Sequence, residues 1–187
     1  MRVDLLVFTW CKTLFARLKA HHIAKAAVGI ATGNRRSISR ALSLIESESS
    51  DSRELLSLLK PRHPPPLRIG LSGPPGAGKS SLIESWGLHY LKEHPQHHIA
   101  ALCIDPSSKL TGGSILADKT RMPELSVHPS VFIRPSPSKC SLGGIATSTY
   151  NALRVVSSSI FDLNVIETVG VGQSETLVSS LVDIFVL

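Results

Sequence analysis

The stretch Leu67-Arg68-Ile69-Gly70-Leu71-Ser72-Gly73-Pro74-Pro75-Gly76-Ala77-Gly78-Lys79-Ser80-Ser81-Leu82-Ile83 decides the fold of this 187-residue chain. A short apolar run at its start predicts a strand, its last residues open a helical pattern, and Gly73–Ser80 between them fits the spacing GxxxxGK[ST]. A phosphate chain needs several amide donors converging at close range, and glycines let the backbone approach without a Cβ in the way. Pro74 and Pro75 carry no N–H, so the donors are expected from Gly76 onward while the prolines stiffen the start of the loop. In this reading Gly73, Pro74, Pro75, Gly76, Ala77, Gly78, Lys79, Ser80 and Ser81 form a phosphate cradle. Lys79 sets its ammonium against the β- and γ-phosphates, and the Ser80 hydroxyl helps to coordinate Mg²⁺. The competing explanation, a Gly/Pro turn without a ligand, does not account for the contiguous Gly-Lys-Ser ending directly before a helix.

Outward from this loop, short apolar runs alternate with helical stretches, the pattern of βαβ units around a parallel sheet. Strands are predicted near Leu67–Ser72, Ile99–Asp105, Val131–Arg134, Leu163–Thr168 and Val182–Leu187, and helices near Lys79–Lys92, Gly144–Ser159 and Ser174–Ser180. Pro135–Ser141 reads as a loop. The fold class is therefore α/β, a doubly wound, mostly parallel sheet over residues 67–187. Upstream, Ile38, Ala41, Leu42 and Ile45 fall on one helical face, and a second helix is expected to start with a cap at Asp51 and Glu54 and to stop at Pro61. This helical hairpin and the stiff His63-Pro64-Pro65-Pro66 linker make an accessory segment, 31–66. Residues 1–30 are basic and acid-poor, which suits either a mitochondrial transit peptide or an ordinary basic helix.

A magnesium–triphosphate site needs carboxylates opposite the loop, and in an open α/β sheet these belong at the carboxyl ends of strands. Asp105 and Glu167 both end predicted strands. Glu167-Thr168-Val169-Gly170 also has the spacing of the DxxG γ-phosphate sensor with Glu in place of Asp, so that the Gly170 amide is the expected sensor. Both carboxylates could instead simply cap the turns that follow.

Composition narrows the classes. Apolar residues at 42% and charged residues at 18% describe a chain able to bury a core. The net charge of +6 is concentrated before residue 41, where Arg2, Lys12, Arg17, Lys19, Lys25, Arg35, Arg36 and Arg40 face only Asp4. No basic stripe interleaved with aromatics follows, so nucleic acid is not an expected partner. The apolar runs are far shorter than a membrane span requires, and no membrane partner is expected. Cys11, Cys103 and Cys140 share no metal-binding or disulfide spacing, and Cys103 reads as core. His21, His22, His94, His97 and His98 lie in polar stretches and read as solvated surface.

From about residue 30 to the end, the chain resembles the MeaB/ArgK-type GTPases, the group that includes the methylmalonic aciduria type A protein. The resemblance rests on Gly73–Ser80, Asp105-Pro106-Ser107-Ser108, Gly112-Gly113-Ser114-Ile115-Leu116, Asp118-Lys119-Thr120-Arg121-Met122, Phe132-Ile133-Arg134-Pro135-Ser136-Pro137 and Glu167-Thr168-Val169-Gly170-Val171-Gly172-Gln173-Ser174-Glu175. It implies GTP/GDP and Mg²⁺ as cofactors, slow GTP hydrolysis, and service to an adenosylcobalamin-dependent methylmalonyl-CoA mutase by loading or protecting its cofactor. It further implies homodimers, and a mitochondrial matrix location in a eukaryote or a cytoplasmic one otherwise. Carried over by position, Lys79 and Ser80 are phosphate and Mg²⁺ groups, Asp105 and Glu167 belong to the Mg²⁺ and switch site, and Asp118 and Lys119 belong to a loop that meets nucleotide or partner. Gln173 is a candidate to position the attacking water, although it lies three residues beyond Gly170.

Two departures stand out. Lys109-Leu110-Thr111 and Ala117 differ from the family pattern after Asp105, and the NKxD segment with which such GTPases read guanine does not occur in these residues. The sequence accordingly reads as a C-terminally truncated member, without the base-reading strand and the pairing helices. A P-loop kinase of a small molecule, or a non-catalytic nucleotide- or partner-binding fragment, fits the same loop.

Overall fold

The computed structural model describes residues 20–105, 121–137, 142–168 and 178–187. Its centre is a sheet of five parallel strands, β1 (Leu67–Leu71), β2 (Ile99–Asp105), β3 (Val131–Pro137), β4 (Leu163–Thr168) and β5 (Ile184–Val186), in the order β3-β2-β4-β1-β5. β2 and β4 are inner strands covered on both faces, which is why they read as nearly continuous apolar runs rather than alternating ones. Asn164 is a fully buried polar residue near the start of β4, and its side-chain amide donates to Ser157 Oγ at 2.9 Å.

The pleat sorts these strands into two cores. On one face Ile69, Leu71, Ala101, Cys103 and Val165 join Ile83 and Leu91 of the helix Lys79–Glu93 and Leu125 of a short helix, Pro123–Val127. Helix and neighbour come close at Gly87, where a Cβ would stand 3.1 Å from both Leu125 methyls. On the other face Ala100, Leu102, Ile104, Phe132 and Ile166 join Leu153 and Val156 of the helix Leu142–Ser157. The helices Arg35–Glu46 and Ser50–Leu58 insert Ile38, Leu42 and Leu55 into this same core, and residues 20–31, also helical, add Ile23 and Ile30. The segment before the prolines is thus part of the sheet's second core.

Polar clamps hold that segment in place. Asn34 caps the helix Arg35–Glu46 by accepting from the Ser37 amide at 3.0 Å. At the helix start, Arg35 donates to the carbonyls of His128, Pro129 and Val131, and at its end Glu46 accepts from Arg134 of β3 at 2.8 Å.

Several local expectations change. β3 continues through Pro135 to Pro137 where a loop was expected; it is an edge strand, so prolines forfeit no ladder bond to a second neighbour. Residues 138–141 lie outside the described set. The second upstream helix begins at Ser50 with Ser49 at its cap position, and Asp51 sits inside the first turn, where its charge suits the helix N-terminus. The short helix at Pro123 was not read from the sequence, although proline at a first helical position is its signature. β5 is confined to Ile184–Val186, and of the helix expected over Ser174–Ser180 only 178–179 are described as helical.

Candidate functional site

β1 is followed by a connection that runs across β4 to β2, whereas β4 is followed by one that runs across β1 to β5. The two leave in opposite directions, so the carboxyl ends of β1 and β4 border the topological switch point of the sheet, where open α/β folds bind their ligands. Gly73–Ser80 rises from the end of β1 at this point, and Glu167 stands beside it as the register partner of Leu71.

The loop keeps an unusual backbone. Gly76 has φ +83° and Gly78 φ +85°, left-handed values, and a Cβ built on either would meet nothing within 4 Å. Glycine is therefore required here by the backbone angle and not by crowding. The turn closes through the Ala77 amide donating to Pro74 O at 3.3 Å, and the first helical bond runs from Leu82 N to Gly78 O at 2.8 Å. The amides of a helix's first turn have no acceptor within the helix, and together with the axial dipole they make this terminus an anion site.

Three side-chain placements give the site its chemistry. Lys79 turns its ammonium over the loop, donating to Gly73 O at 2.7 Å and Pro74 O at 2.9 Å. Ser80 donates its hydroxyl to Glu167 Oε1 at 2.7 Å. A hydroxyl from the helix start and a carboxylate from the neighbouring strand thereby share one point at the mouth of the switch crevice. Hard oxygen donors of this kind suit Mg²⁺, which takes one or two protein oxygens and completes its shell with phosphate and water. Among the described residues no group of three or more His, Cys, Asp or Glu is arranged to hold a metal by itself.

Of the other sequence candidates, Pro74, Pro75 and Ser81 are exposed around the loop. Asp105 ends β2 two residues beyond Cys103, which is Glu167's register partner on that side. The backbone thus brings the Asp105 position to the same edge as the loop, while its side chain, and Gly170, Gln173, Asp118 and Lys119 entirely, lie outside the described residues. Sequence reasoning gave no role to two buried hydroxyls here, Ser72 and Thr168, which hydrogen-bond each other at 2.9 Å. Their only signal was a polar residue at the end of each of two apolar runs.

Groups with displaced pKa values sit at the opposite edge of the sheet. Burial would push the Asp162 carboxyl up, but hydrogen bonds from Arg62 and the His98 amide, with the Arg62 charge, hold it below the usual carboxylate range. Asp183 is held low chiefly by its hydrogen bond from Arg68. Both anchor strand starts and have no part in the loop. The histidines near that edge form an aromatic group, His94 stacked on His97 at 4.9 Å beside Tyr90.

A parallel α/β sheet with a glycine loop of this geometry at its switch point, and a carboxylate bonded to the loop's terminal hydroxyl, defines a P-loop nucleotide-binding domain. Comparison with known proteins sharpens the class. Residues 38–187 match the family profile described as methylmalonyl Co-A mutase-associated GTPase MeaB, and the chain belongs to that family. It is 45% identical over 180 residues to a probable GTPase of Mycobacterium tuberculosis, covering 92% of this chain and 53% of that protein. It is 42% identical over 173 residues to the mitochondrial methylmalonic aciduria type A homolog of Mus musculus, covering 85% and 41%. It is also 39% identical over 168 residues to the GTPase ArgK of Escherichia coli, covering 88% and 50%. A crystal structure described as a LAO/AO transport system kinase superposes with a TM-score of 0.69 at 30% identity, covering 87% of this chain and 48% of that one. The chain thus spans about half the length of the relatives it matches.

Proposed function

We propose that the chain forms the phosphate-binding part of a Mg²⁺-dependent GTPase that serves an adenosylcobalamin-dependent methylmalonyl-CoA mutase as a metallochaperone. The observation that carries this reading is the 2.7 Å bond between Ser80 Oγ and Glu167 Oε1 at the mouth of the loop. In this proposal the amides from Gly76 onward bind the phosphate oxygens, and Lys79 leaves the carbonyls of Gly73 and Pro74 to meet the β- and γ-phosphates. Ser80, Glu167 and Asp105 hold Mg²⁺, which when bound neutralises the negative charge between those phosphates. The Gly170 amide senses the γ-phosphate, and Gln173 orients the attacking water for in-line displacement.

Guanine as the base is supported by the description of the family and of the mycobacterial and Escherichia coli relatives as GTPases. The mutase as partner is supported by the family description and by the mouse relative's name. Cofactor loading or protection, and pairing of two copies, extend that reading by family resemblance. The mouse relative is described as mitochondrial, which favours the matrix if this chain is eukaryotic, and the bacterial relatives favour the cytoplasm otherwise. No helix among the described residues is long and apolar enough to cross a membrane.

The test is single-turnover hydrolysis of γ-labelled GTP in Mg²⁺, with and without the mutase. Release of inorganic phosphate that Lys79→Ala abolishes is the expected result. Transfer of the label to a small-molecule acceptor would convert the reading to a kinase, and absence of turnover with the mutase present would leave a binding fragment.

A further inference from the structure

Glu167 and Thr168 are consecutive residues of β4, so the pleat sends them to opposite faces of the sheet. Glu167, register partner of Leu71 and Cys103, lies on the face of the helix Lys79–Glu93 and bonds Ser80, the residue at which the phosphate loop ends. Thr168, register partner of Ile104, lies on the other face and is 1% exposed. Its hydroxyl approaches Ser72 Oγ at 2.9 Å and Leu71 O at 3.4 Å. Ser72 is 4% exposed, is the last residue before the loop, and donates its own amide to Val186 O of β5 at 2.9 Å.

We infer that Thr168 is a positioning residue of the phosphate site, its hydroxyl pairing with Ser72 to fix the strand end from which Glu167 reaches Ser80. The two ends of the loop are then tied to two successive residues of one strand, Ser72 to Thr168 and Ser80 to Glu167. Because the pair is buried, removing the Thr168 hydroxyl deprives Ser72 Oγ of its donor, and removing that of Ser72 leaves Thr168 only the longer contact to Leu71 O, losses that water does not easily replace. The end of β4, beyond its last ladder pair with β1 at Glu167, then loses this tie, which shifts the Glu167 carboxylate without deleting it. Valine is isosteric with threonine, so Thr168→Val removes the hydroxyl at nearly constant shape, whereas Thr168→Ser retains it.

The inference rests on the Mg²⁺–nucleotide reading of the site, and its test separates the two. GTP affinity of the 187-residue chain is measured in Mg²⁺ and again in EDTA, and the ratio reports the Mg²⁺-linked gain, in which Glu167 acts. Thr168→Val is expected to lower that gain about five- to tenfold, the equivalent of one buried hydrogen bond. Thr168→Ser keeps it within about twofold on the same reasoning. Ser72→Ala removes the same bond from the other strand and reproduces the loss, and the double variant is no worse than either single one. Thr168→Val or Ser72→Ala with the full Mg²⁺-linked gain overturns the inference, as do equal losses with and without Mg²⁺ or additive effects in the double variant. If the unmodified chain binds GTP in neither condition, the nucleotide reading itself fails and takes the positioning role with it.

Discussion

Substituting Gly78 by alanine isolates what the loop backbone contributes. Gly78 caps the helix Lys79–Glu93 at φ +85° and ψ +13°, and a Cβ there meets nothing within 4 Å. Steric collision with the fold is absent, so the cost is that of a non-glycine residue held left-handed, about 1–2 kcal/mol. Alanine also restricts the unfolded chain, which returns about 0.4–1 kcal/mol. The balance is close to 1 kcal/mol of destabilisation. In a chain of this size it lowers Tm by roughly 2–4 °C. If the loop instead escapes strain by rotating out of the left-handed region, stability recovers, but the amides turn from the phosphate and GTP affinity falls about fivefold, the equivalent of the same energy. Differential scanning fluorimetry and a GTP titration on one preparation read both quantities. A Gly78→Ala chain with undiminished Tm and unchanged affinity would refute the claim that the cradle depends on this backbone angle.

Two further predictions concern the scaffold. Leu42, 1% exposed on the upstream helix, belongs to the same core as Leu102 and Ile166, so Leu42→Ala should cost about 2–5 kcal/mol in urea unfolding. A loss below about 0.5 kcal/mol, the level of surface substitutions, would mean that this helix does not share the sheet's core. Asp162 has a depressed pKa in the folded chain, so its contribution is full above the unfolded value near 3.9 and is lost as pH falls through the lower folded value. The difference in urea midpoint between the unmodified chain and Asp162→Asn should therefore be largest near neutral pH and shrink below about pH 4; a difference that grows on acidification would contradict the sign.

The site was more legible than its surroundings because its residues are constrained by chemistry rather than by neighbours. Gly76, Gly78, Lys79 and Ser80 announce themselves by type and spacing, and Glu167 by ending an apolar run; the crevice between β1 and β4 then follows from where parallel strands deliver their last residues. The Ser72–Thr168 pair was illegible since a hydroxyl at a strand end is common, and only register puts these two opposite each other. The same holds for Arg35 and Glu46, which look like surface charges on a basic segment until β3 arrives to receive them. The prolines of β3 read as loop formers in sequence, and only the strand's place at the sheet edge reconciles them with pairing. Asp51 reads as a cap because its spacing to Glu54 fits one, whereas the cap position is Ser49, two residues earlier.

The proposed function requires that Gly73–Ser80, completed by Glu167, bind the phosphates of a magnesium–nucleotide. Isothermal titration of the chain with GTP in Mg²⁺, beside Lys79→Ala, tests it most directly. Saturable binding to the unmodified chain that Lys79→Ala abolishes is the expected result. Binding that survives Lys79→Ala unchanged, or no binding by the unmodified chain, would contradict it.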